Sequence, residues 1–511
     1  MAYKWKVLLC MMPALTMFLI DATIVNVALA KLGAVFNVDV ATVGWTVTSF
    51  ALASGIATPM TSFVETRFTM KRVWLIALIL FTGGSLLCGL APTFLVLIIG
   101  RMLQGIGGGM LMPMTLSTLF RAFPPGQRGM AIGFLAIPMV AGPALGPTIG
   151  GYIVTYLDWR MVFFVNLPIG VAAVLLAITF LQPSRPKTDA RFDAVGAVLS
   201  SLAFGSCLYA LSRVSQDGWG SLTVRGLLSF GLLCLAVFCA YEATRDEPLL
   251  DVRLFTRPQF LIANVVGWVS TIALFGAEFM LPLYLQNLRG LTAVDTGLML
   301  MPQGLAVAIA GPIAGRLVDR IGARTVVVIG FCLLALNTWD MAHITLQTSF
   351  DTIRWLLVIR GVALGCAMQP TQLVAMSAVP ERLRTQASSL NNAMRNIFQS
   401  FGIAMLSTVV ETQSIVHSTV LDWQVRPGTP QGAAINQLST FLQAHSGLAA
   451  QAAHGAAIAM ILGEIGRQAA VLAFGDAYRI TFFAALLAIL AALLLPGRGA
   501  VKFDPSVMTE G

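Results

Sequence analysis

Largely apolar stretches recur along the chain at 7–30, 42–64, 73–91, 94–120, 129–155 and 161–182, then at 193–213 and 223–243, and again at 260–287, 295–317, 325–346, 354–378, 386–410 and 471–495. Each is close to the roughly 20 residues that carry an α-helix across a bilayer, and charges gather in short clusters between them. The pattern predicts an all-α integral membrane protein of 14 transmembrane helices, grouped six, two and six. The expected units are an N-terminal six-helix bundle over 1–185, a two-helix insert over 186–257, and a C-terminal six-helix bundle over 258–511 with a long extracytoplasmic loop at 411–470.

Composition agrees with the pattern. The 511 residues are 57% hydrophobic and 11% charged, against about 25% charge in an ordinary globular domain. The net charge of +9 would suggest nucleic acid only if the basic residues formed a patch. They do not: 20 of the 32 Lys and Arg fall in alternate connections, from Lys4 and Lys6 through Arg67, Lys71 and Arg72 to Arg498 and Lys502. That alternation is the positive-inside signature, so both termini are expected in the cytoplasm and no nucleic-acid partner is implied. Residues 1–30 imitate a signal peptide, but Asp21 and Asn26 are out of place in one, and the uncleaved run is long enough to span.

The stretch 411–470 is rich in Ala, Gln, Ser and Thr, with an Ala-rich part able to be helical. It holds His417, His445 and His454, whose spacing matches no metal motif. It reads as a solvated loop or a docking surface for another protein. The seven cysteines all lie in apolar stretches and read as packing residues, so neither metal nor cofactor is expected. None of the six lysines follows a glycine, which excludes a Walker A lysine, and no nucleophile–base pair points to an enzyme.

Transport without ATP needs an ion gradient and protonatable groups at membrane depth, where each charge is a functional candidate. Two acids qualify, Asp21 and Glu278. A carboxyl there can exchange protons or be locked in a buried pair with an arginine. The cations at that depth are Arg101, Arg360 and Arg395. Arg101, Gln104, Gly105, Gly108 and Met112 share one helical face, and Asn392, Arg395, Asn396 and Gln399 share another. Such faces turn from lipid toward a cavity or a neighbouring helix.

At these residues the chain resembles the 14-helix drug:proton antiporter branch of the major facilitator superfamily, of the EmrB/QacA type. Leu19-Ile20-Asp21-Ala22-Thr23-Ile24-Val25-Asn26 is similar to the branch's first-span motif, and Gly100-Arg101-Met102-Leu103-Gln104-Gly105 to the motif with an embedded arginine. Gly142-Pro143-Ala144-Leu145-Gly146-Pro147-Thr148-Ile149-Gly150 resembles the antiporter motif of proton-driven exporters. The cytoplasmic loop motif is present as Gly315-Arg316-Leu317-Val318-Asp319-Arg320-Ile321-Gly322-Ala323-Arg324. Its first-half copy is degraded, with Ser62, Thr66 and Thr69 standing where Gly, Asp and Gly are expected.

The resemblance implies two six-helix bundles rocking about a path between them, and proton-coupled export of amphipathic or lipophilic toxic compounds. Asp21 and Glu278 would carry protons, with Arg101 tuning them. Asn26, Gln104, Met112, Trp268, Phe275, Asn392, Arg395 and Asn396 would line the cavity. Gly142, Pro143, Gly146, Pro147 and Gly150, with Asp319, Arg320 and Arg324, would form gates. A bacterial inner membrane is the expected location. A dedicated exporter of one metabolite or fatty acid, or a component docked to a periplasmic adaptor through 411–470, are the alternatives.

Overall fold

The computed structural model describes residues 2–183, 193–425, 430–446, 448–495 and 497. It is helical throughout, with no strand among the described residues. The helices are α1 (Tyr3–Phe36), α2 (Val40–Val43), α3 (Trp45–Phe68), α4 (Met70–Gly89), α5 (Phe94–Ala122), α6 (Arg128–Tyr156), α7 (Met161–Phe164), α8 (Asn166–Phe180), α9 (Ala194–Asp217), α10 (Leu222–Ala243), α11 (Pro258–Leu283), α12 (Ala293–Ile321), α13 (Ala323–Met341), α14 (Phe350–Ser377), α15 (Arg384–Gln424), α16 (Pro430–Ser446) and α17 (Ala450–Ala492). Ten helices among the described residues are long and apolar enough to cross a membrane. A helix satisfies all its backbone groups internally, which lipid demands.

Seventeen α-helices are found among the described residues, against fourteen transmembrane helices expected, for three local reasons. The one-turn α2 precedes α3. The sixth stretch is broken at Val165 into α7 and α8. The polar stretch after 411 is mostly helical: α15 runs on to Gln424, α16 follows, and α17 begins at Ala450. Its alanines and glutamines are good helix formers, and that propensity outweighs their polarity.

Helix starts follow sequence. Thr93, Asp193, Thr292 and Ser349 each accept a backbone N–H of the first turn, from Val96, Gly196, Asp295 and Thr352 respectively. The turns α3–α4 and α12–α13 share one unusual backbone shape. Gly322 sits at φ 90°, ψ 154°, and Thr69, at the matching place in the first half, at φ 79°, ψ 147°. Glycine accepts that conformation freely, whereas threonine holds it under strain.

Helices α1, α3, α4, α5, α6 and α8 pack on one another, as do α11–α15 and α17. The seam between the groups is dominated by α6 against α12, with α5 and α3 against α15. Along α6 and α12 the backbones touch: a methyl group at Gly133 would lie 2.5 Å from the Gly311 carbonyl oxygen, and one at Gly315 would strike that of Gly129. Such contact between small residues is how helices associate where the hydrophobic effect is weak. Helix α9 packs on α3, on α15 and on its hairpin partner α10. Leu232, Leu233, Ile309, Leu487 and Leu490 are exposed on outward faces, as lipid contact requires.

Candidate functional site

In the first half a fully buried polar knot ties five helices together around Asp21. Arg101 Nη1 donates to Asp21 Oδ2 at 2.5 Å. Asp21 Oδ1 accepts from Asn166 Nδ2 at 2.7 Å and Gln104 Nε2 at 3.0 Å. Arg101 Nε donates to the Thr46 carbonyl at 2.8 Å and Nη1 also to Gln104 Oε1 at 2.9 Å, while the guanidinium lies 4.2 Å from the Phe50 ring centroid. Gln104 Nε2 reaches Ser85 Oγ at 2.6 Å. The spacing of Arg101 and Gln104, three apart on α5, puts both on the face toward α1. Asn166 joins because α8 starts there, after the break at Val165.

Of the two roles left open for Asp21, the geometry shows the buried pair. All three donors saturate the carboxylate, and removing one partner of such a pair leaves an uncompensated charge. The knot has one loose end: Arg101 Nη2 is buried without a hydrogen-bond partner.

The glycine-rich stretch of α6 lies directly over this turn of α1. A methyl group at Gly142 would meet the Leu19 carbonyl at 2.7 Å, one at Gly150 the Ile24 carbonyl at 2.9 Å, and one at Gly146 would collide with Thr23 Oγ1. Thr23 Oγ1 in turn donates to the Gly142 carbonyl at 2.9 Å. The same helix faces α12 of the other half.

The second half holds a small cavity of about 30 Å³ between α11, α14 and α15, bordered by Ser270, Thr271, Thr371, Gln372, Asn391 and Arg395. Arg395 Nε and Nη1 are buried there and make no hydrogen bond. Gln369, near this cavity, donates to Met139 Sδ of α6 at 3.3 Å, across the seam.

At the basic ends of the helices, Arg121 Nη2 pairs with Glu65 Oε1 at 2.5 Å and donates to Thr385 Oγ1 at 2.7 Å, joining the halves. Ser388 Oγ adds a bond to the Pro113 carbonyl at 2.9 Å. Glu65 stands one residue before Thr66, so an acid is present beside the degraded motif. In the second copy Arg324 Nε donates to the Leu495 carbonyl at 2.6 Å and Arg320 is exposed.

The other candidates are scattered. Gln104 belongs to the Asp21 knot, Met112 to the apolar core, and Asn26 is exposed on α1. Trp268 stacks on Phe398 at 4.9 Å, Asn392 donates to the Ser388 carbonyl at 2.8 Å, and Asn396 is half-buried. Pro147 is half-buried on α6. The side chains of Pro143, Phe275, Glu278 and Asp319 lie outside what the structure describes.

Several contributors were not singled out from sequence: Ser85 and Thr46 in the knot, and Glu65 with Arg121; His417, placed in the polar stretch, has its Nε2 2.7 Å from Asp476 Oδ2. The usable signal was Glu65 one place off the motif.

Comparison with known proteins places these features. The family model described as Major Facilitator Superfamily matches residues 11–403. The multidrug resistance protein B homolog of Mycobacterium tuberculosis is 33% identical over 446 residues, 85% of this chain and 82% of that relative. The multidrug export protein EmrB of Escherichia coli (strain K12) is 30% identical over 423 residues, 82% of each chain. The crystal structure of a D-xylose-proton symporter superposes with a TM-score of 0.60 over 98% of this chain and 99% of that one, at 15% identity, a likeness of fold alone.

Proposed function

Because this chain belongs to the major facilitator superfamily, we propose that it is a proton-coupled multidrug efflux transporter that exports amphipathic or lipophilic toxic compounds by alternating access. One observation carries the reading: α6 lies against the α1 turn bearing Asp21 on one side and against α12 of the other half on another. A proton on Asp21 removes the charge that holds Arg101, and the guanidinium must then find another acceptor. The α1 turn shifts, α6 follows, and the seam with α12 repacks between two discrete arrangements. Relatives named for multidrug export and resistance support the same reading.

In this reading Glu278 is a second proton carrier. The chain crosses a bacterial inner membrane fourteen times, with α7 and α8 forming one crossing and both termini cytoplasmic. Residues 1–185 and 258–511 form the rocking bundles and 186–257 the insert. Everted vesicles carrying the protein should accumulate ethidium and an unrelated neutral toxicant when the interior is acid, and lose both when nigericin collapses the gradient. Transport indifferent to the gradient overturns the proposal, and full-rate transport by Asp21→Asn removes Asp21 from it.

A second reading has its own observation. Trp423, Phe441 and Met460 are exposed on α15, α16 and α17, where the chain extends beyond the predicted spans. They suit docking of a periplasmic adaptor in a tripartite pump. Co-purification of an adaptor with the full chain, lost on deleting α16 while transport in vesicles persists, is the expected result.

A further inference from the structure

We infer that the cavity at Arg395 is an anion subsite, and that the transported compounds it selects carry one acidic head group, a carboxylate above all, on an apolar body. The inference rests on the export reading only for transport; binding at the cavity stands by itself.

The cavity has one charged group, Arg395, and no described acid borders it. The backbone at Glu278 stands well along the bundle from it. Gly402 of α15 packs against Ile272 of α11. Counting about 1.5 Å per residue from that crossing sets the Arg395 and Glu278 positions about 20 Å apart along the bundle. Asp21 is already saturated by three donors in the other half.

The hydroxyls on the wall do not answer the guanidinium either. Ser270 donates to the Val266 carbonyl, Thr271 to that of Gly267 at 2.8 Å and Thr371 to that of Ala367 at 2.8 Å, so each spends its proton on its own helix. What borders the space without a carboxylate is the Arg395 guanidinium, whose Nε and Nη1 are buried and make no hydrogen bond. The side-chain amide of Gln372 also has an unmatched oxygen. Rotated by half a turn, which is indistinguishable in shape, it presents its NH₂ to the same guest.

A buried guanidinium without a counter-charge is costly at membrane depth. Its planar fork matches a carboxylate better than any neutral group. The volume of 30 Å³ is room for about two waters, the span of two carboxylate oxygens. Met368 on the wall gives an apolar body a polarizable surface.

The test uses one body with three heads: pyrenebutyrate, neutral pyrenebutanol and cationic pyrenebutylammonium, bound to the purified full chain in nanodiscs and read by fluorescence. The acid should bind at least tenfold tighter than the other two. Arg395→Gln should abolish that preference and leave the neutral and cationic probes unchanged, while Arg395→Lys retains part of it. Equal binding of all three heads, or an equal loss of all three in Arg395→Gln, overturns the inference.

Should Arg395→Gln fail to fold, Ser270→Asp supplies a counter-charge from inside the cavity. It should fold at least as stably as the parent chain and lose pyrenebutyrate selectively; retained acid binding again overturns the inference. Vesicle transport separates the two proposals. Ethidium uptake without acid-selective binding keeps the export reading and refutes the subsite, and acid-selective binding without gradient-driven transport does the reverse.

Discussion

Arg101 is fully buried and Arg395 half-buried, one in each half, and the two halves treat them in opposite ways. Arg101 is closed off: a carboxylate, an amide, a backbone carbonyl and an aromatic face surround it. Arg395 is left open: it borders a cavity, and two of its nitrogens have no hydrogen-bond partner. The difference teaches how the fold divides its labour. A charge that is already answered can only work by being un-answered, which suits a group that takes up a proton. A charge with no answer works by receiving one, which suits a group that meets cargo.

The sharpest way to break this comparison is stability. Arg101→Met strands Asp21 and should cost about 3–5 kcal/mol, read by thermal unfolding in a single detergent. Arg395→Met strands nothing and should cost less than about 1 kcal/mol or stabilise the chain, since a buried unpaired charge is lost. Equal losses would erase the asymmetry. Adding Asp21→Leu to Arg101→Met should restore most of the deficit, because the pair removed together leaves no orphan.

The clasp at Arg121 offers a smaller test. Thr385→Val removes its bond across the seam and should cost about 0.5–1.5 kcal/mol, at the lower end because Arg121 is partly exposed. Spin labels on Thr66→Cys and Arg382→Cys should report a longer mean distance in that variant; an unchanged distance distribution would remove the clasp from the seam. A further test concerns the two matching turns. Thr69→Gly should stabilise by about 1 kcal/mol, whereas Gly322→Ala should destabilise by roughly 1–3 kcal/mol. A destabilised Thr69→Gly would mean the threonine side chain compensates for its own strain.

Much of this was legible in the residues. The helices follow apolar runs about a bilayer long, and Asp21, Arg101 and Gln104 announce themselves as charges and amides where lipid excludes them. Ser85 and Thr46 did not, because small neutral polar residues are common in such helices and only three-dimensional packing shows which face a carboxylate. Glu65 was hidden by register, an acid one place from where a motif expects it. His417 and Asp476 are 59 residues apart and meet only because α15 and α17 lie side by side. After 411 only the Ala-rich part was legible as helix, and the continuation of α15 to Gln424 escaped because polarity was weighed above propensity. The open state of Arg395 is an absence of partners, which no pattern in a chain can display.

The position of α9 bears on how the molecule is made. It rests against α3, which precedes it in synthesis, and against α15, which does not yet exist when α9 leaves the ribosome. The outer end of that second contact is held by the loop after α9, through Trp219, whose indole N–H donates to Thr408 at 2.9 Å. At about 5–20 residues per second, the roughly 200 residues between α9 and the end of α15 take on the order of 10–40 s. For that interval the hairpin occupies the flank of the finished half and shields α3 from other chains, then serves as the berth where a late-arriving helix lands.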